Sequence, residues 1–102
     1  MQKDPKITEQ VKEILQIIKE ISPGKSVELR VPPYGAIQCV SGSNHRRGTP
    51  PNTVEMSGQT LVRLINEPFL WSALCESGKV RASGLLSDLS NVFDQAAVKY
   101  RA

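Results

Sequence analysis

Between residues 5 and 31 the apolar residues change period, and that change confines the chain to folds in which a helix lies on a sheet. Ile7, Val11, Ile14, Ile18 and Ile21 recur at helical spacing, and Leu15 widens the stripe. Val27, Leu29 and Val31 then alternate with Glu28 and Arg30, which is the period of a strand buried on one face. Neither element can bury its apolar side alone, so each needs the other or a neighbour as cover. The spacing predicts a helix over residues 5–22. Asp4-Pro5 supplies a capping carboxylate and a proline at the first helical position, and Pro23-Gly24 supplies a stop. Such a helix is roughly 27 Å long, enough to cover a small sheet.

The rest of the chain continues that mixture. Pro32-Pro33 interrupts the first strand, and Tyr34 to Val40 is again β-rich. The two runs fit either a hairpin across the prolines or one bent strand. Residues 41–52 have loop composition, and Thr53 to Met56 is short and β-prone. Ser57 is placed to cap a helix carrying Leu61, Leu64 and Ile65. Pro68 opens a second short helix with Phe69, Leu70, Trp71 and Leu74, which Ser77-Gly78 ends. Lys79 to Ser83 alternates as a strand. A last helix is expected from about Leu85–Ser87, with Leu89, Val92, Phe93, Ala96, Ala97 and Tyr100 in period. The expected fold class is α+β: one domain over residues 1–102, with a small, mainly antiparallel sheet covered by an N-terminal helix and several short C-terminal helices.

Bulk properties narrow the function classes. No run of ~18 apolar residues exists to cross a membrane as a helix. The charged N-terminus is unlike a signal core, and two cysteines, Cys39 and Cys75, are too few for a disulfide framework. A reducing, cytoplasmic setting is therefore expected. Lys and Arg number 13 against 10 Asp and Glu, a net charge of +3. No acid lies between Glu28 and Glu55, so Arg30, Arg46 and Arg47 carry the whole excess. That is too sparse for a nucleic-acid surface, and no nucleic-acid partner is expected.

Chemistry-bearing residues are few. Cys39, His45 and Cys75 are the soft metal ligands, but they lack the short paired spacing of zinc sites, so no metal or other cofactor is expected. Cys39 with His45 has neither a nucleophile elbow nor a glycine-rich oxyanion loop around it, and no catalytic residue is assigned. His45-Arg46-Arg47-Gly48 is more suggestive. Adjacent guanidiniums hold carboxylates or phosphates bidentately, and a glycine lets backbone N–H groups approach an anion. Against this stands a solvated loop whose arginines pair with carboxylates such as Glu55.

The stretch from Val31 to Phe93 resembles a known family. Its marks are Val31-Pro32-Pro33-Tyr34-Gly35-Ala36 with Gln38-Cys39, then Arg47-Gly48-Thr49-Pro50-Pro51-Asn52 with Val54-Glu55, then Trp71, Ala73-Leu74, Ser77 to Gly84 and Asp88-Leu89-Ser90. These resemble the bacterial orthologues of sterol carrier protein domains. The resemblance implies a first helix, a five-stranded sheet and several helices enclosing an apolar tunnel. It also implies noncatalytic binding and transfer of a fatty acid, acyl-CoA or sterol-like ligand. The chain departs from the eukaryotic carriers in lacking their peroxisomal targeting tail. Its helical C-terminal extension is longer than that of the bacterial family, and would either lid the tunnel or close it.

The expected ligand site follows. Leu61, Leu64, Phe69, Trp71, Leu74, Leu89, Val92 and Phe93 would line the apolar cavity, and His45, Arg46 and Arg47 would meet an anionic headgroup. A filled core is the competing reading of the same apolar set, since periodicity does not separate a packed core from a lined pocket. Two functional rivals stand beside it. One is a protein-interaction module or homodimer formed through exposed leucines of the last helix. The other is an accessory domain of a thiol-dependent isomerase-type system.

Overall fold

The structure is a computed structural model that describes residues 2–42 and 52–102. Its elements run α1 (Thr8–Ile21), β1 (Val27–Val31), β2 (Gly35–Cys39), β3 (Asn52–Met56), α2 (Gly58–Asn66), α3 (Trp71–Glu76), β4 (Val80–Ser83) and α4 (Ser90–Arg101), with a 3-10 turn at Pro68–Leu70 before α3. The fold class is α+β, as the change of period requires.

α1 begins three residues later than the stop-and-start signals suggest, but for the expected reason. The Asp4 carboxylate accepts from the Lys6 N–H at 2.9 Å, and the Asp4 carbonyl accepts from Ile7 at 3.1 Å, so the first turn is wound tighter than an α-helix. Val11, Ile14, Leu15, Ile17 and Ile18 form the buried stripe. Ser57 caps α2 as expected, accepting from the Thr60 N–H at 3.1 Å. α4 begins at Ser90 rather than near Leu85–Ser87. Gly84 there adopts φ +109°, and Ser87 bonds back to the Gly84 carbonyl at 3.2 Å, so residues 84–87 form a turn. The Asp88 carboxylate then accepts from the Ser90 N–H at 2.9 Å, at the helix start.

Among the described residues the sheet has four strands, ordered β2-β1-β3-β4, rather than the five the resemblance implies. β1 and β2 form an antiparallel hairpin, closed by Tyr34 N–H on the Val31 carbonyl at 2.8 Å, which decides between hairpin and bent strand. β1 runs parallel to β3, and β3 antiparallel to β4, so antiparallel pairings predominate. The even register sorts the side chains onto two faces. Val27, Leu29, Val31, Cys39, Val54, Met56 and Val80 are buried on the inner face. α1 packs on α2 and α4, and α2 on α4, so three helices join that face in a single core.

α4 is part of this core rather than an appendage. Phe93, Ala96 and Ala97 are fully buried, and the two alanines let the backbones of α4 and its neighbours approach closely. Gln10 on α1 donates to the Tyr100 hydroxyl at 3.3 Å, and Lys99 lies 3.7 Å from Glu20, which ties the far end of α4 to α1.

Candidate functional site

The eight residues expected to line an apolar cavity all come from the helical half of the chain. The fold brings six of them inward together: Leu61 and Leu64 from α2, Trp71 and Leu74 from α3, and Leu89 and Phe93 at the start of α4. Trp71 and Phe93 stack obliquely, with ring centroids 5.9 Å apart and planes inclined at 32°. Val92 is partly buried against this group. Phe69 is directed to solvent, with 77% of its surface exposed. The cause is local. Pro68–Leu70 is a 3-10 turn leading into α3, and Phe69 and Trp71, two residues apart, fall on different sides of it.

The apolar group is held by elements of unequal firmness. α2 has a side-chain cap, whereas the 3-10 turn and α3 start without one and are short. The last exposed leucines also lie elsewhere than expected. Leu85 and Leu86 are exposed at 99% and 45%, but on the turn before α4, while Leu89 is buried. α4 itself offers Val98 to solvent and no leucine.

His45, Arg46 and Arg47 lie outside the described residues. The described chain on either side of that stretch is tightly fixed. Asn52 is buried, donates to the Ser26 carbonyl at 2.8 Å and accepts from the Leu86 N–H at 3.0 Å, joining the residue before β1, the start of β3 and the turn before α4. A Cβ on Gly84 would collide with Asn52. Gly42 has no room for one either, because the Ser26 side chain occupies that space. Asn52 therefore has a structural duty within the most family-specific string of the sequence.

The thiols are poor nucleophiles. Cys39 is fully buried on the inner sheet face, and burial pushes its pKa up to about 11. Cys75 is raised too, by partial burial first and then by the Asp88 charge. No cluster of three or more His, Cys, Asp or Glu is placed to hold a metal among the described residues.

The outer sheet face supplies what the sequence reading did not anticipate. The register aligns Ala36, Arg30, Glu55 and Arg81 in one cross-strand row, and Gln38, Glu28, Thr53 and Ser83 in the next. Arg30 bonds Glu28 at 2.9 Å, and Arg81 bonds Glu55 at 2.7 Å. A cleft of about 500 Å³ lies along β4, reaching from Thr53 and Glu55 round to Cys75 and Gly78. A second, of about 390 Å³, sits over the hairpin between Arg30, Pro32 and Ala36. A third, of about 410 Å³, is bounded by Asn52, Gly84, Leu85 and Leu86. The alternation of Glu28 with Arg30 and of Arg81 with Ser83 was the available signal for this face, but it does not reveal which strands lie side by side.

Comparison with known proteins places this geometry. No curated protein sequence matches the chain. The structure of a UbiJ-SCP2 ubiquinone synthesis protein superposes with a TM-score of 0.56 and 18% sequence identity, over 100% of this chain and 98% of that one. At that identity the likeness concerns the fold alone. A family model described as bacterial SCP ortholog (SCP, sterol carrier protein) matches residues 4–94, from the start of the first helical turn into α4. The chain therefore belongs to the bacterial sterol carrier protein ortholog family.

Proposed function

We propose that the protein is a noncatalytic carrier that binds an apolar ligand, such as a fatty acid, acyl-CoA or sterol-like molecule, and passes it on. Membership of a sterol carrier ortholog family over residues 4–94 carries this reading. The apolar group of Leu61, Leu64, Trp71, Leu74, Leu89 and Phe93 supports it, because these residues offer an aliphatic chain a continuous surface removed from water. Leu64 and Phe93 are fully buried, so a ligand tail would enter by parting the helical layer. The uncapped 3-10 turn and α3 are the elements whose displacement costs least. Val92 and Phe69 would flank the entry. His45, Arg46 and Arg47 would hold the carboxylate or phosphate of an anionic ligand at the surface. Cytoplasmic residence suits a chain whose cysteines are free.

The thiol-dependent alternative gains nothing from the geometry. Cys39 itself, in the core with burial pushing its pKa up to about 11, supplies no thiolate, and the accessory-domain reading would draw its thiol from outside the chain.

Palmitate, palmitoyl-CoA and cholesterol, each added to the full chain and followed by native mass spectrometry, test the proposal. A bound mass together with a change in Trp71 fluorescence is the expected result. Unliganded protein alone with unchanged fluorescence for all three would sink it. Replacing Arg46→Ala with Arg47→Ala is expected to weaken palmitate and palmitoyl-CoA more than cholesterol. Equal binding of all three to parent and variant would remove the loop from the site.

A further inference from the structure

The apolar group of the helical layer is not sealed evenly. Leu61, Leu64 and Phe93 are wholly buried, while Trp71, the first residue of α3, keeps 7% of its surface. Trp71 also brings a polar atom into this company, an indole N–H that can donate and cannot accept. A buried tryptophan ordinarily gives that hydrogen to an acceptor. By contrast with its neighbours in the chain, Trp71 has no such partner among the described residues. Ser57 donates to the Thr60 hydroxyl at 3.0 Å, Ser77 to the Leu74 carbonyl at 3.1 Å, and Ser87 to the Gly84 carbonyl at 2.7 Å. No side-chain nitrogen or oxygen among the described residues is at once sealed from solvent and unpartnered. The indole nitrogen therefore lies in the small part of Trp71 that reaches the surface, while the ring rests against Phe93 with centroids 5.9 Å apart.

Building on the carrier reading of this site, we propose that Trp71 positions the ligand: its indole N–H donates to the carbonyl oxygen of a fatty acyl group, and the acyl chain runs inward from there beside Phe93.

The chemistry of the donor selects that class. A chain headed by an ammonium group brings donors alone and leaves the N–H unanswered. A hydroxyl accepts the N–H but adds a hydrogen of its own, and the side chains of Leu61, Leu64, Leu74, Leu89 and Phe93 hold no acceptor for it. A carbonyl oxygen only accepts, so it satisfies the indole and leaves nothing unpaired. The depth of the residues agrees with this orientation. The acceptor meets Trp71 at the rim, and the hydrocarbon beyond it meets side chains that are sealed from water. Trp71 also follows directly on the 3-10 turn, which has no side-chain cap, so the donor moves with the element that admits the chain.

Methyl laurate and tridecane, an uncharged ester and a hydrocarbon of similar length, test the assignment on the isotope-labelled full chain. The sequence has one tryptophan, so the indole N–H gives a single signal in a proton–nitrogen correlation spectrum. Methyl laurate is expected to move that proton downfield, as a new hydrogen bond does, and tridecane is expected to leave it near its starting place. Trp71→Phe keeps an aromatic ring and removes the donor. In competition against a fluorescent dodecanoyl probe, it is expected to lower the ratio of methyl laurate to tridecane affinity by about 2- to 12-fold, the worth of one hydrogen bond. An indole signal unmoved with methyl laurate bound, or a ratio unchanged in Trp71→Phe, overturns the role of Trp71 and leaves the carrier reading standing. Failure of both ligands to bind the parent chain overturns the two together.

Discussion

The two faces of the sheet are built from the same strands and hold to opposite rules. On the inner face Val27, Leu29, Val31 and Val54 are wholly buried beneath three helices. On the outer face Arg30 pairs with Glu28 along β1 and Arg81 with Glu55 across from β4 to β3, and the two arginines are 44% and 71% exposed. A change on the inner face removes packing that nothing else can replace, whereas a charge lost from the outer face is met by water. The difference bears on function as well. An apolar ligand has to part the inner layer, while the outer face offers clefts and an open edge as it stands.

The largest test of that contrast is Phe93→Ala. The ring is fully buried beside Trp71, so truncation is expected to cost about 3–5 kcal/mol in urea unfolding. A cost below about 1 kcal/mol would mean the helical layer already holds space around that ring, and would turn the packed side into a lined pocket. Asn52→Ala comes next, at about 2–3 kcal/mol, because it leaves the Ser26 carbonyl and the Leu86 N–H without their partner. It probes the seam where the inner face meets the turn before α4.

Much of the inner face was legible in the sequence, because a helical stripe and an alternating strand each announce their buried side. Ile14, Ile18, Leu29 and Val31 lie where the periods put them. The Ser57 cap was equally legible, as capping is a local interaction between residues three apart. What escaped depends on contacts between distant residues or on a change of winding. The start of α4 was set too early because Gly84 yields to Asn52, while Phe69 was grouped with Trp71 although two residues' spacing sets them on different sides of a helical turn. The parallel pairing of β1 with β3, and with it the outer charge rows, lies in no local pattern. Family membership was readable from the motifs. The apolar set was readable as a group, but its two roles, core and cavity, ask for the same residues.

Cys39 gives the inner face a pH signature of similar size. Burial raises its pKa from 9.0 to about 11, so the folded chain keeps a proton that the unfolded chain has lost in that interval. Stability is full below pH 9.0 and falls as pH rises towards 11, by about 2–3 kcal/mol across the whole window. Other groups titrate there too, so the measurement is the difference in slope between the parent and Cys39→Ala in urea unfolding at pH 8 and pH 10.5. The variant is expected to lose stability less steeply. Parallel slopes would mean that water reaches the thiol and that the inner face is open beneath the hairpin.

The smallest effect is expected from Arg81 and Glu55, and its smallness is the point. Their bond is short, at 2.7 Å, yet the arginine is 71% exposed, so water screens the attraction and replaces it when it is lost. A double-mutant cycle of Arg81→Ala with Glu55→Ala should return a coupling of about 0.2–1 kcal/mol. Adding salt should shrink it further, since mobile ions screen the attraction between exposed charges. A coupling above about 2 kcal/mol that salt leaves unchanged would belong to a desolvated pair. It would mean that the cleft along β4 excludes water, and that the two faces of the sheet differ in residue type but not in the way they are held.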